Sequence, residues 1–360
     1  NINPNQSIYE LFQYYNDEII WAGGNNDYQG VSSKMEARTT PGDLPSAMGN
    51  VGMYQGIIDL FYTENGLDIK EDPEYNDTGF TDYPNRCTTI DKNVADHHID
   101  KHIFNMYINR EPRFYADVTY EGKSWHIQRD QSTYKNFGAY FSKGGKGYKD
   151  NTMYARAGYL LYKFNNRTLL NIGSNNKSWA RPWIYFRLAD FYLYYAEVCN
   201  EINPNDSNII KYIDLIRKRA GIPGYKELKE KGIKNITGDQ DKQRNAIHRE
   251  RIIEMLGEGN YYFDTHRWMT AGYSEDETSG DLIKNNEDKS LIRTGLDISK
   301  SAATFNSKGI PTSFKDDIGQ NSYYNRITVD RFPWSKAMLL YPVPYNEMQK
   351  SKLIVQNPLW

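Results

Sequence analysis

A chain of 360 residues with 44 basic and 46 acidic side chains, net charge −2, can bury a sizeable core without metals or disulfides. So even a balance, with no basic stripe, argues against nucleic acid as the main partner. Apolar stretches such as Ala337 to Tyr341 fall far short of the roughly 18 residues of a membrane span, and Cys87 and Cys199 give neither a disulfide framework nor metal-ligand spacing. Taken in chain order, Ile8, Leu11, Phe12 and Tyr15 recur at helical spacing and predict a helix over Ser7 to Tyr15. Glu18 to Ala22 then reads as a short strand, in which Trp21 is expected to face the core, and Gly23-Gly24-Asn25-Asn26 ends it. Val51 to Tyr62 predicts a second helix stopped by Gly66, and residues 63–90, rich in Asp, Asn, Pro and Thr, read as loop. Phe114 to Tyr120 and Lys123 to Ile127 read as a strand pair turned by Glu121-Gly122, followed by long excursions over 128–180.

The texture changes at Ile184. From there to Ile202 a long amphipathic helix is predicted, with Leu188, Phe191, Tyr195, Val198 and Ile202 on one face. Asn203-Pro204 breaks it. Ser207 caps a second helix carrying Ile209, Ile213, Ile216 and Ala220, and Gly221 and Pro223 end that helix. A third helix is predicted from Asp241 to about Leu256, separated by Gly257 and Gly259 from Tyr261 to Trp268. Two antiparallel helices joined by a short break are the unit of tetratricopeptide-like packing, although one hairpin is not a repeat array. Residues 271–325 read as polar loop, and the chain ends in an extended, proline-punctuated tail.

Six segments carry a family resemblance. Arg187-Leu-Ala-Asp190 is followed by Tyr192-Leu193 and Ala196-Glu197, and then by Ile216-Arg-Lys-Arg-Ala-Gly221. Glu250-Arg251, Glu254, Gly257-Glu-Gly259, Phe263-Asp264 and Arg267-Trp268 form a third block. Upstream stand Met53 to Phe61 with Asn65-Gly66, and Asn109-Arg-Glu-Pro-Arg-Phe-Tyr-Ala116 with Tyr120, Gly122 and Trp125 behind it. Downstream stand Leu340-Tyr-Pro-Val-Pro-Tyr-Asn-Glu347 and Val355-Gln-Asn-Pro358. In this order they resemble the SusD/RagB family of Bacteroidetes. Glu111, Ile252, Asn260 and Leu359 depart from the pattern, and Asn260 removes whatever ion pair an Arg would make there.

The resemblance implies a mostly α-helical body with tetratricopeptide-like helix pairs and a long, loop-rich, partly β ligand face. It implies one domain over 1–360, with a helical scaffold at 184–270. It further implies a lipid-anchored protein on the extracellular face of the outer membrane, which captures glycan for a SusC-like TonB-dependent transporter. Family chains are longer, so this chain reads as their C-terminal portion, with the N-terminal helices and the lipid anchor lying outside it. The motif charges Arg187, Asp190, Glu197, Arg217, Arg219, Glu250, Arg251, Asp264 and Arg267 are expected to form a buried scaffold network rather than a catalytic site.

Ligand contact is expected instead from loop aromatics beside amides, because sugar rings stack on aromatic faces while amides and charged groups bond hydroxyls. The candidates among the chain's 30 tyrosines and 7 tryptophans are Tyr28 beside Asn25 and Asn26, Tyr83 beside Asn85 and Arg86, and Trp125. Tyr134 beside Asn136, Tyr140, and Trp179 beside Asn176 complete the set. No catalytic motif is present, so no enzyme is expected; a glycoside hydrolase, which needs two carboxylates on one cleft, and an oligopeptide-binding lid are the competing readings. If Asp96 to His102 were helical, His98 and His102 would share a face suited to zinc, but no third ligand is evident. No metal and no cofactor is therefore expected.

Overall fold

The computed structural model describes residues 3–24, 31–42, 47–84, 99–125, 138–148, 154–167, 181–277, 281–285 and 290–360. Its helices are α1 (Pro4–Leu11), α2 (Val31–Thr39), α3 (Gln55–Leu60), α4 (Pro112–Asp117), α5 (Leu188–Ile202), α6 (Ser207–Ala220), α7 (Tyr225–Glu230), α8 (Gln240–Glu254), α9 (Asn260–Arg267) and α10 (Tyr345–Met348). Between them run two-stranded antiparallel ladders, the longest pairing Ser290–Leu296 with Arg326–Pro333. The expectation of a mostly helical chain is thereby corrected to a mixed one.

The best-formed helix shows how local chemistry sets the ends. Asp206, rather than Ser207, caps α6 by accepting the Asn208 amide at 2.8 Å. Gly221 closes it at φ 79°, a left-handed conformation that L side chains rarely adopt. A Cβ there would also lie 2.4 Å from the Pro4 ring, so α1 packs against this helix end because the residue is glycine. Ile209 and Ile213 face inward and join Ala196, Tyr225, Leu228 and Ile247 in the core between the helices, while Ile216 packs with Ala189, Leu193 and Met255.

Several elements differ from the sequence reading. Residues 112–117 are helical, not a strand: Pro112 occupies the first turn, where its fixed φ suits a helix and its missing N–H costs nothing. The short strands that follow pair elsewhere, Val118–Thr119 with Leu160–Leu161 and Lys123–Ser124 with Gly138–Ala139. Phe80–Pro84 pairs with Ile99–Phe104. The segment 271–325 holds strands at Tyr273–Glu275, Leu282–Lys284, Ser290–Leu296, Ala303–Phe305 and Pro311–Phe314. Most are three or four residues long, too short for alternation to show.

Residues Ile184–Arg187 form a strand paired with Ile19–Ala22, and helix α5 begins only at Leu188. The apolar face read along it is not its buried face. Ala189, Leu193 and Ala196 are buried, whereas Phe191, Tyr195, Val198 and Ile202 face outward. Trp21, expected in the core, is 60% exposed.

Much of the tyrosine content is core. Tyr107, Tyr115, Tyr120, Tyr159, Tyr162 and Tyr323 pack with Phe61, Phe114 and Phe164 in one buried cluster. Buried hydroxyls need partners. Tyr159 donates to Gln55 Oε1 at 2.7 Å, Tyr115 to the Tyr107 carbonyl at 2.8 Å, and the Tyr62 and Tyr225 hydroxyls meet at 3.1 Å.

Candidate functional site

The motif charges converge on α8. Glu254 pairs with Arg187 at 2.6 Å and Arg113 at 3.1 Å, and also meets Arg219. Arg187, fully buried, additionally holds Glu18 at 2.7 Å and Glu258 at 2.7 Å, and donates to the Glu254 carbonyl. Arg113 holds Glu111 at 2.7 Å and Glu250 at 2.6 Å, Arg217 reaches Glu250 at 3.4 Å, and Lys163 shares Glu258 Oε1 with Arg187 at 2.8 Å. Burial would push the Glu254 carboxyl up, but Arg219, Arg187, Arg113 and Lys163 together hold it well below the usual range. Glu258 is likewise held low by Arg187 and Lys163 against its own burial.

A second cluster adjoins it. Arg251 bonds Asp264 at 2.6 Å and Asp190 at 3.2 Å, and Arg267 joins Asp264 at 2.9 Å and also meets Glu197. Asn260, which departs from the family pattern, donates to Asp190 at 3.1 Å. These carboxylates are saturated by cations in the interior, which makes them a frame between helices. Sequence reasoning missed Glu254 and Glu258, although both stand in the third motif block, and it missed Glu18, Glu111, Arg113 and Lys163, which lie far along the chain from the helical motifs.

Of the candidate ligand-binding aromatics, Tyr28, Tyr134 and Trp179, with Asn25, Asn26, Asn85, Arg86, Asn136 and Asn176, lie outside the described residues. Trp125 is buried, its ring edge-on to Tyr162 at 5.0 Å. Tyr83 is buried and stacks on Tyr115 at 5.9 Å. Tyr140 packs edge-on to Phe305 at 5.6 Å, and burial raises its hydroxyl pKa. Trp125 and Tyr83 belong to the same buried aromatic cluster. His102 lies in the strand Ile99–Phe104, so the helical spacing of a zinc pair does not hold there; His97 and His98 lie outside the described residues. Among the described residues, no group of three or more His, Cys, Asp or Glu could hold a metal ion.

Two of the depressions among the described residues combine aromatic rings with polar groups and were not foreseen. One, of about 210 Å³, is lined by Asn50, Gly52, Met53, Tyr54, Tyr154, Arg156, Ala157 and Asp330. Tyr54 stands at the start of α3 and donates its hydroxyl to Asp330 Oδ2 at 2.8 Å; Arg156 pairs with Oδ1 at 2.8 Å. Burial, then the hydrogen bond to Asp330, pushes the Tyr54 hydroxyl up to about 12, so it stays a neutral donor. Gly52 permits the close packing of the floor, since a Cβ would lie 2.3 Å from the Tyr159 carbonyl. Arg156 is more than half exposed, and such a rim ion pair contributes little to stability, which leaves its groups available for exchange. A carboxylate, a guanidinium, an amide and two phenols around so small a hollow supply donors and acceptors to neighbouring hydroxyls.

The other depression, of about 430 Å³, is mainly aromatic, with Tyr261, Tyr262, Phe332, Trp334, Tyr341 and Trp360 among its lining. It draws on the α9 and C-terminal motifs. The only signal in the sequence was the density of aromatics in those segments.

Residues 17–360 match the SusD family. The chain is 41% identical over 85 residues to a SusD-like protein, P25, of Formosa agariphila, a stretch of 24% of this chain and 15% of that one. Among solved structures it is similar in fold to BT4246 (TM-score 0.67, 23% identity). It is also similar to a SusD-like protein of Bacteroides fragilis (TM-score 0.62, 21% identity). Both alignments cover 99% of this chain but only 53% and 56% of those structures, so the chain spans about half their length. With the family matched from Glu18's neighbour Asp17 to the last residue, and the motif charges meeting in one frame, this chain belongs to the SusD family.

Proposed function

We propose that this chain is the glycan-binding part of a surface capture protein. It takes oligo- or polysaccharide at the extracellular face of the outer membrane and hands it to a SusC-like TonB-dependent transporter. The family supports this reading, and the observation that carries it in this chain is the polar hollow of Tyr54, Tyr154, Arg156, Asn50 and Asp330. Sugar hydroxyls are recognised by fixed carboxylate, guanidinium and amide groups flanked by aromatic rings. Attachment through a lipid anchor is part of this proposal, and no helix among the described residues is long and apolar enough to cross a membrane. The α5–α6 hairpin is read as one tetratricopeptide-like pair.

A glycoside hydrolase would place two carboxylates across one cleft. Among the described residues lining the hollow, Asp330 is the single carboxylate, and it is held by Arg156 and Tyr54. The test is affinity electrophoresis against soluble α- and β-glucans, mannans, xylans, galactans and alginate, with a reducing-end assay on the same samples. Retardation in at least one gel without new reducing ends is expected. Retardation by none, with binding to an oligopeptide library instead, would replace glycan by peptide as cargo; steady release of reducing ends would show an enzyme.

A further inference from the structure

A further depression, of about 480 Å³, lies between α8 and the segments around Tyr62 and Lys234, and shares no lining residue with the hollow of Tyr54 and Asp330. The two stand at opposite ends of α3, Tyr54 just before its first residue and Tyr62 just past its end. The volume falls inside the range of about 300–1,000 Å³ usual for small-molecule sites. Helix α8 supplies one wall. Lys242, Asn245, Ala246 and Arg249 recur at i, i+3, i+4 and i+7, so an ammonium, an amide and a guanidinium share one face, with the small side chain of Ala246 between them. Tyr62 and Tyr225 supply the aromatic part, their hydroxyls 3.1 Å apart.

The described residues of this lining carry three cations, Lys234, Lys242 and Arg249, and two carboxylates, Asp68 and Glu71. Arg249 is already committed. Its Nε donates to the Leu60 carbonyl at 2.7 Å, and its guanidinium pairs with Asp68 and lies over the Tyr62 ring at 4.6 Å. Burial would push the Asp68 carboxyl up, but Arg249 holds it below its usual value, so it stays ionised. Lys234 pairs with Glu71. Both carboxylates are thus neutralised, and the Lys242 ammonium is left over. Its partner Asp239, at 3.0 Å, stands outside the lining, and the pair is exposed, so it contributes little and leaves the ammonium free to turn to a ligand. One cation in excess, beside an amide and two phenols, favours a ligand that combines hydroxyls with a single negative charge.

We propose that this cavity is a second binding site, for a sugar unit bearing an oxyanion, either the carboxylate of a uronate or a sulfate ester. The oxyanion meets Lys242 and Asn245, and the sugar ring lies toward Tyr62 and Tyr225. That the ligand is a sugar rests on the glycan reading of the preceding subsection; that it is anionic rests on the charges of this cavity alone.

The test is a ligand-observed NMR titration of the chain with glucuronate, a sulfated galactose, neutral galactose and acetate. At least one anionic sugar binds saturably, and galactose and acetate bind about tenfold more weakly or not at all. The tighter of the two anionic sugars identifies the oxyanion as carboxylate or sulfate ester. Lys242→Ala, at an exposed position, weakens that binding about fivefold, and so does raising the salt. The same variant leaves retardation by a neutral glycan in the affinity gels unchanged, so the hollow and this cavity are read separately. Galactose or acetate bound as tightly as the anionic sugars would overturn the inference. So would an unchanged affinity for the anionic sugar in both Lys242→Ala and Asn245→Ala, which would place it elsewhere. Binding of none of the four probes, with a neutral glycan still retarded, would overturn this site and leave the hollow standing.

Discussion

Replacing Arg187 by Met tests the frame on which the family motifs converge. Arg187 is fully buried and makes bonds to Glu18, Glu254 and Glu258 between 2.6 and 2.8 Å, with a fifth to the Glu254 carbonyl at 2.9 Å. Methionine fills part of the volume but leaves carboxylates buried with fewer cations. Glu254 retains Arg113 and Arg219, and Glu258 retains Lys163, so neither is stripped bare. Breaking one buried partner costs about 3–5 kcal/mol. At about 2.1 cal/mol/K per residue, the chain unfolding as one unit has a transition entropy of about 0.76 kcal/mol/K, so a loss of about 4 kcal/mol lowers Tm by about 5 °C. Arg187→Lys keeps the charge and loses the planar fork, and falls between the two. Because Glu254 and Glu258 are held below their usual range in the fold, their contribution is present above pH 4.5 and is lost as pH falls through their folded values. The deficit of Arg187→Met therefore narrows in acid. Urea unfolding at pH 7 and pH 4 measures both effects. A variant within about 1 kcal/mol of the parent at pH 7 would refute the reasoning, because it lies below the range for a broken buried pair.

Other expectations follow from single sites. Glu121 is fully buried, accepts from the Phe141 amide, the Ser142 amide and the Ser142 hydroxyl, and burial pushes its carboxyl up to about 7. With the folded value above the unfolded one, its contribution favours the fold below pH 4.5 and is lost as pH rises toward 7, by about 3 kcal/mol. Glu121→Gln should flatten that part of the stability–pH curve; an unchanged slope would show that the carboxyl does not titrate there. Ile213→Ala, in the closed core between helices, should cost about 2–5 kcal/mol in urea unfolding. Gly52→Ala should cost stability and lower glycan affinity together, since the added methyl meets the Tyr159 carbonyl under the hollow; full affinity in that variant would separate the hollow from the cargo.

The sequence reading succeeded where the determinant is local. Helix α6 carries its inward isoleucines and its terminal glycine as read, while its cap falls on Asp206, one residue before the expected Ser207. The motif charges were legible as a frame because opposite charges recur on adjoining helices. Partners contributed from a distance, such as Glu18 and Arg113, were not, since only the fold brings them to α8. Which face of α5 is buried was not legible for a related reason: apolar periodicity shows that residues share a face, not what that face packs against. Trp125 and Tyr83 stood beside polar residues in sequence but are core, because Tyr162 and Tyr115 cover their rings. The hollow was invisible because Tyr54, Arg156 and Asp330 are brought together from three distant segments.

The most direct test of glycan capture at that hollow is calorimetry with one oligosaccharide, chosen from the gels, against the parent chain, Arg156→Ala and Asp330→Asn. A charge-assisted hydrogen bond contributes about 1.5–3 kcal/mol, so each substitution should weaken binding about 10- to 150-fold. Arg156 is exposed, so its removal should leave Tm within about 1 °C of the parent. Unaltered affinity in both variants, with their folds intact, would contradict the claim.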